Sequence, residues 1–180
     1  MTKTAQQLKA LISTPKKIVI TTHRGPDGDA MGSSLALCNF LEQLGHTVNV
    51  ITPNEYAKFL HWLPGNDAVI NYEENEEKAA AITAEADLIF LLDFSHLSRI
   101  ATFASAVSKS KATKIMIDHH QDPDTDIAEL IFSDTTACST AQLVYEVIEA
   151  MEMTTYLNKA IAECLYVGIM TDTGSFKYAS

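Results

Sequence analysis

The chain predicts an α/β fold in which a mainly parallel sheet is flanked by helices and followed by a helical C-terminal segment. Three observations predict it. Strand-like runs alternate with helical patterns, the signature of parallel strands joined by crossover helices. Two runs, Ile18–Thr22 and Leu88–Leu92, are almost continuously apolar, as strands buried on both faces must be. The 180 residues, with 47% hydrophobic and 20% charged content, suffice for one ordinary globular domain with a sizeable core.

In chain order, a polar and mildly amphipathic helix is expected over Thr4–Ser13 and a first strand over Lys17–Thr22. Pro26-Asp27-Gly28 then marks a turn, with a helix over Met31–Leu44 beyond it. Strands at Thr47–Thr52 and Ala68–Tyr72 precede a helix over Glu73–Glu85. The apolar run at Asp87–Asp93 is the second central strand. A helix over Arg99–Lys109, a strand over Thr113–Asp118 and an edge strand at Glu129–Ser133 follow. The last third changes character: Ser139–Met151 and Tyr156–Thr171 read as helices, with Ser and Thr placed to cap their starts. No repeat, low-complexity tract or flexible linker is evident.

A net charge of −10 argues against a broad, non-specific nucleic-acid surface, which needs clustered Lys and Arg. A phosphorylated substrate remains compatible with it, because bound divalent ions bring their own local positive charge. Cys38, Cys138 and Cys164 are widely spaced in apolar, helix-like surroundings, without a Cys-x-x-Cys pair, and read as reduced thiols. The N-terminal stretch lacks an apolar signal region, and no run approaches membrane-spanning length, so a cytoplasmic protein with no membrane partner is expected.

The residues that carry chemistry cluster at the ends of the expected strands. His23 closes the first strand and is followed by Asp27 and Asp29; Asp93 closes the second apolar run; Asp118-His119-His120 closes a third; Asp172 ends a helix. Ligands of open α/β sheets gather outside the carboxyl ends of the strands, so these separate positions converge on one rim. Mixed imidazole and carboxylate donors suit divalent ions such as manganese. The donors outnumber what one catalytic ion needs if it is to keep open positions, and a pair of ions about 3.5–4 Å apart can share a carboxylate.

Each position also has a plain structural reading. Pro-Asp-Gly is a turn signal, and Asp before a helix can cap it. Asp93 can simply mark the sheet edge, Arg99 can form a surface salt bridge, and His96 is the kind of loop histidine usually left in water. An EF-hand is disfavoured, because Ala30, Met31 and Gly32 stand where further ligands belong and no bidentate Glu follows at the right offset. A dinucleotide site is disfavoured, since Gly25, Gly28 and Gly32 do not make Gly-x-Gly-x-x-Gly and Asp27 and Asp29 would repel a pyrophosphate. The start of the Met31 helix offers free amides suited to an anion. Adjacent His119 and His120 point in different directions at a strand end, so one can bind metal while the other faces substrate. His119 is assigned to metal. His120 is assigned to the substrate phosphate or to protonation of the leaving oxygen, with Asp118 orienting a ligand from behind.

The ordered set His23-x-x-x-Asp27-x-Asp29, Asp93, Asp118-His119-His120 and Asp172 resembles the DHH phosphoesterase family, named for its Asp-His-His motif. Pro26-Asp27-Gly28-Asp29-Ala30-x-Gly32-Ser33 and Thr171-Asp172-Thr173-Gly174-Ser175-Phe176 look most like the branch of oligoribonucleases and pAp phosphatases related to RecJ exonucleases. The resemblance implies a Rossmann-like DHH catalytic domain over 1–180. It implies two Mn²⁺, with Mg²⁺ or Co²⁺ as substitutes: one held by His23, Asp27 and Asp93, the other by Asp29, Asp93, His119 and Asp172. Asp93, Asp118 and His120 are the expected catalytic residues, and Arg99, His120 and Ser33 the expected substrate contacts. A smaller DHHA1 domain with a glycine-rich substrate-binding motif is expected beyond Ser180, so the chain reads as a catalytic-domain fragment that keeps metal binding with impaired turnover.

The expected reaction is hydrolysis of short single-stranded oligoribonucleotides or of a nucleoside bisphosphate such as pAp by a water bridging the ions. Homodimerisation is compatible with the reading. Rival activities in the same family are pyrophosphatase, exopolyphosphatase and cyclic-dinucleotide phosphodiesterase. A rival from another class is a non-catalytic nucleotide-binding module.

Overall fold

The computed structural model describes residues 1–178. Its strands are β1 (Lys17–Thr22), β2 (Thr47–Thr52), β3 (Ile70–Asn71), β4 (Leu88–Leu92), β5 (Thr113–Asp118) and β6 (Leu130–Ser133). Among the described residues these six form one sheet in the order β3-β2-β1-β4-β5-β6, with every neighbouring pair parallel. The helices are α1 (Thr2–Leu11), α2 (Gly28–Gln43), α3 (Glu76–Ala84), α4 (Ala104–Lys109), α5 (Thr140–Ala150) and α6 (Lys159–Asp172).

The two apolar runs are central because both faces of their strands are covered. Ile18, Ile20, Leu88, Phe90 and Leu92 pack in one cluster with residues of α1, α2, α5 and α6. Val19, Ile89 and Leu91 point the other way, into a second cluster with Ala79 of α3 and Val107 of α4. Each such side chain, fully removed from water, contributes roughly 1.5–3 kcal/mol of burial free energy. That is why these strands lack a polar alternation.

The strand order reverses beside β1, where the chain leaves toward β3 and returns to β4. The register aligns Thr22 with Leu92 and Leu92 with Ile117, so β1, β4 and β5 end level. His23, Asp93 and Asp118 therefore emerge side by side at the topological switch point. Close packing of α2 on α6 brings Asp172 to the same rim. A Cβ on Gly28 would lie 2.3 Å from Thr171 Oγ1, and one on Gly32 would lie 2.6 Å from the Cys164 carbonyl oxygen. Only glycine lets the helices approach this far.

Several boundaries differ from the sequence expectation. α2 begins at Gly28 rather than Met31, because Asp27 caps it there. β3 shrinks to Ile70–Asn71. Leu97–Phe103 is a 3₁₀ segment broken at Ala101, with φ 49° and ψ −128°, so the regular helix starts only at Ala104. α6 starts at Lys159, where the Asn158 side chain accepts a hydrogen bond from the Ile161 N–H, and Thr154–Tyr156 before it forms a separate 3₁₀ turn.

A candidate metal centre at the carboxyl ends of the strands

His23 leaves β1 buried, and its Nδ1–H donates to the Arg24 carbonyl oxygen at 3.0 Å. A carbonyl partner fixes the proton on Nδ1 and leaves Nε2 as the lone-pair nitrogen. Nε2 lies 3.4 Å from Asp93 Oδ2 and 3.8 Å from Asp27 Oδ2. Asp27 has two roles at once: Oδ1 accepts the Asp29 and Ala30 amides at 3.0 Å and caps α2, while Oδ2 faces His23. The turn-and-cap reading and the ligand reading of this residue are both realised in its geometry.

Asp93 stands at the middle of the rim. Its backbone adopts φ 64°, in the left-handed region that aspartate tolerates better than most residues, and its N–H donates to the Ile117 carbonyl at 3.1 Å. Its Oδ2 faces His23, and its Oδ1 lies 3.7 Å from His119 Nε2 and 3.8 Å from His120 Nδ1. His119 Nδ1–H donates to the Ala137 carbonyl at 3.4 Å, which leaves its Nε2 to face Asp172 at 3.4 Å, Asp93 at 3.7 Å and Asp29 at 4.0 Å. His120 Nδ1–H donates instead to Asp118 Oδ1 at 2.7 Å. The nitrogen of His120 nearest Asp93 is thus already engaged, and its free Nε2 is the outer one.

Donor atoms within 4.8 Å of one another fall into three overlapping groups: His23, Asp27 and Asp93; Asp29, His119 and Asp172; and Asp93, His119 and His120. Asp29 is 1% exposed and Asp93 2% exposed, whereas Asp27 and His120 are exposed, so the cluster has a buried floor and an open rim. Burial, then the nearby Asp93 charge, pushes the Asp29 carboxyl well above its ordinary value, against the pull of the Ala141 and Thr140 amides. Burial likewise raises Asp172, aided by Asp93 and opposed by His119. Burial would raise Asp93 as well, but the approach of His23 outweighs it and holds Asp93 below the ordinary carboxylate value. His23 is raised: burial opposes protonation, and contacts with Asp93 and the Arg24 carbonyl overcome it. The hydrogen bond to Asp118 raises His120. Paired Nε2 lone pairs and converging carboxylate oxygens are the donor set that a borderline-hard divalent ion accepts.

The structure brings His23, Asp27, Asp29, Asp93, His119, His120 and Asp172 together. Arg99 lies near enough for its charge to oppose protonation of His120, and its carbonyl accepts the Arg24 N–H at 2.8 Å. Ser33 is not at the rim: it is fully buried within α2, and its hydroxyl donates to the Ala30 carbonyl. The free amides expected at the start of the second helix are corrected too, since Asp27 occupies two of them. His96 stays exposed, 4.0 Å from Asp124.

Sequence reasoning passed over the first turn of α5. The Thr140 N–H donates to Asp29 Oδ2 at 2.6 Å, the Ala141 N–H to Asp29 Oδ1 at 2.9 Å, and the Thr140 hydroxyl to Asp93 Oδ1 at 2.9 Å. The only local signal was Ser139-Thr140 at a helix start, which reads as capping.

The DHH family, N-terminal domain, matches residues 17–169. A bifunctional oligoribonuclease and PAP phosphatase NrnA of Bacillus subtilis is 31% identical over 176 residues, 96% of this chain and 51% of that protein. The cyclic-di-AMP phosphodiesterase GdpP of the same organism is 27% identical over 94% of this chain and 26% of its own length. Among solved structures, an exopolyphosphatase-related protein from Bacteroides fragilis superposes with a TM-score of 0.96 at 40% identity, covering 99% of this chain and 52% of that one. A RecJ exonuclease bound to manganese shares the fold, with a TM-score of 0.60 at 17% identity over 95% of this chain and 42% of its own. The chain thus spans about half the length of NrnA and of the Bacteroides protein. Among the described residues, no helix is long and apolar enough to cross a membrane.

Proposed function

The chain belongs to the DHH phosphoesterase family, and from that premise we propose that it carries the manganese-dependent catalytic centre of an enzyme hydrolysing short oligoribonucleotides, pAp or both. The observation that carries the proposal is the shared tautomer of His23 and His119: each gives its Nδ1 proton to a backbone carbonyl and turns Nε2 toward carboxylates. Two histidines fixed in this way each turn the nitrogen that can bind a metal toward the carboxylates. In this reading His23, Asp27 and Asp93 hold one ion; Asp29, Asp93, His119 and Asp172 hold the other.

A pair of divalent ions supplies Lewis-acid charge that acidifies water and offsets negative charge growing on the phosphate oxygens. The remaining work falls to the chain. Asp93 presents one oxygen to each ligand group and keeps them in register. His120, raised by Asp118 and with Nε2 outward, donates a proton to the leaving oxygen or a hydrogen bond to a phosphate oxygen. Arg99 beside it contacts phosphate, for which its planar fork is suited. A short substrate agrees with the net charge of −10, because few phosphates need neutralising. The named activities of NrnA support the same substrate class.

The test is a product assay with Mn²⁺ and, separately, a labelled ribodinucleotide, pAp, cyclic di-AMP and pyrophosphate. Release of mononucleotides, or of AMP and phosphate, is expected. Cleavage confined to cyclic di-AMP or to pyrophosphate would reassign the substrate. Binding of Mn²⁺ with no cleavage of any of them would favour a nucleotide-binding module instead.

A further inference from the structure

The first turn of α5 touches carboxylates from both ligand groups. Its two leading amides divide between the two oxygens of Asp29, and the Thr140 hydroxyl reaches Asp93. Ser139 Oγ accepts the Gln142 N–H at 3.1 Å and Asp29 takes two more of the donors that a helix start leaves open, but the bond from the Thr140 hydroxyl to Asp93 satisfies no backbone group of the helix and is not a cap. The hydroxyls of Thr83 in α3, of Thr171 in α6 and of Thr173 just beyond it fold back onto carbonyls one turn earlier in the same helix. Thr140, fully buried, sends its proton to a residue 47 positions away.

A carboxylate turns easily about its last torsion, which has a broad and roughly two-fold profile. Asp93 can serve two ligand groups only if that rotation is stopped with one oxygen on each side. The Thr140 hydroxyl binds Oδ1, the oxygen on the His119 side, and leaves Oδ2 on the His23 side. Through its own N–H, the same residue fixes Asp29 in the neighbouring group. We propose that Thr140 is a positioning residue that sets the rotation of Asp93 relative to Asp29 and so couples the two ion sites, an inference that rests on the two-ion reading above.

The packing around α5 fits this role. A Cβ on Gly168 of α6 would lie 2.5 Å from the Ala141 Cβ and 2.9 Å from Asp29 Oδ1. The missing side chain at 168 lets the start of α5 sit directly against the buried carboxylate. Three helices thus meet at one point: α2 brings Asp29, α5 brings its donors, and α6 makes room.

The experiment is calorimetric titration of Mn²⁺ into the metal-free parent, T140V and T140S, with thermal melts of each metal-free protein. Valine keeps the shape and the backbone amide and removes only the hydroxyl donor; serine keeps the donor. T140V is expected to weaken both ions by about 10–100-fold, the usual effect of losing a partner that orients a ligand. T140S is expected to return to the parent isotherm. With substrate, T140V should lower kcat and leave KM near the parent value. An unchanged isotherm in T140V, or a T140S as weak as T140V, would overturn the proposal while the two-ion reading stood. Loss of metal-free melting temperature in T140V with intact Mn²⁺ affinity would also overturn it, in favour of a purely structural role. A folded parent that binds no Mn²⁺ would overturn both.

Discussion

The two edges of the sheet treat charge in opposite ways. At the amino ends of the strands, the Lys17 N–H donates to Asp87 at 2.8 Å, the Lys17 ammonium reaches Glu85 at 2.7 Å, and the Lys114 N–H donates to Glu129 at 2.7 Å. These carboxylates meet amides or a cation, and the Lys17–Glu85 pair stands in water with its side chains 61% and 69% exposed. At the carboxyl ends, Asp29, Asp93 and Asp118 are buried, and Asp29 and Asp172 repel Asp93. One edge is complete in itself. The other gathers like charges out of water at a cost in stability that a bound cation would offset, which is how a fold marks a site against its scaffold.

The contrast is broken most severely at Asp93. D93N keeps the size of the side chain and removes the shared charge, so turnover should fall below detection and both ions should bind more weakly by calorimetry. Full activity in this variant would end the shared-carboxylate mechanism. H120A comes next. If His120 donates the proton as proposed, its removal should lower kcat by about 10²–10⁴-fold, while the Mn²⁺ isotherm stays that of the parent, because the near nitrogen of His120 is held by Asp118. A lost ion in H120A would move His120 into the ligand set.

A third expectation concerns pH in the metal-free protein. His23, His120, Asp29 and Asp172 are all raised, so the folded chain holds their protons more tightly than the unfolded chain does. For the histidines this stability is fully present below the ordinary value of 6.5 and is lost as pH climbs through their raised values. The raised carboxyls change in the same direction. Asp93 runs the other way, and its contribution is lost only as pH falls below the ordinary 3.8. The melting temperature with chelator should therefore rise from alkaline to mildly acidic pH, and Mn²⁺ should reverse the slope because protons and ions compete for the same atoms. Equal slopes with and without Mn²⁺ would mean that the rim is not the binding site. The smallest effect belongs to the amino edge. Exposed ion pairs contribute little, so K17M should leave both the melting temperature and the Mn²⁺ isotherm near the parent values.

Most of the rim was legible because its signals are local. Strand ends are visible where apolar runs stop, and His23, Asp93 and Asp118-His119-His120 stand directly at those stops. Element ends were less legible. The N-terminal reach of α2 depends on the Asp27 cap, and the break at Ala101 is a backbone excursion with no periodic trace. Ser33 shows the limit of motif reading: it shares a run with Asp27 and Asp29, yet the helical turn carries it into the core beside Ala30.

The sequence by itself determined the fold class, the order of the elements and the types of donor side chain at the rim, since each follows from hydrophobic period, turn chemistry and residue identity within a short window. Tertiary structure alone decided how those side chains face one another. Which histidine nitrogen is free depends on carbonyls and on Asp118, and the side-chain donor that meets Asp93 is the hydroxyl of Thr140, 47 residues away. Asp29 is held by an amide 111 residues away, brought there by helices that touch only because glycine stands at 28, 32 and 168. Hydrogen bonds of that reach are set by how helices pack, and no local pattern encodes them.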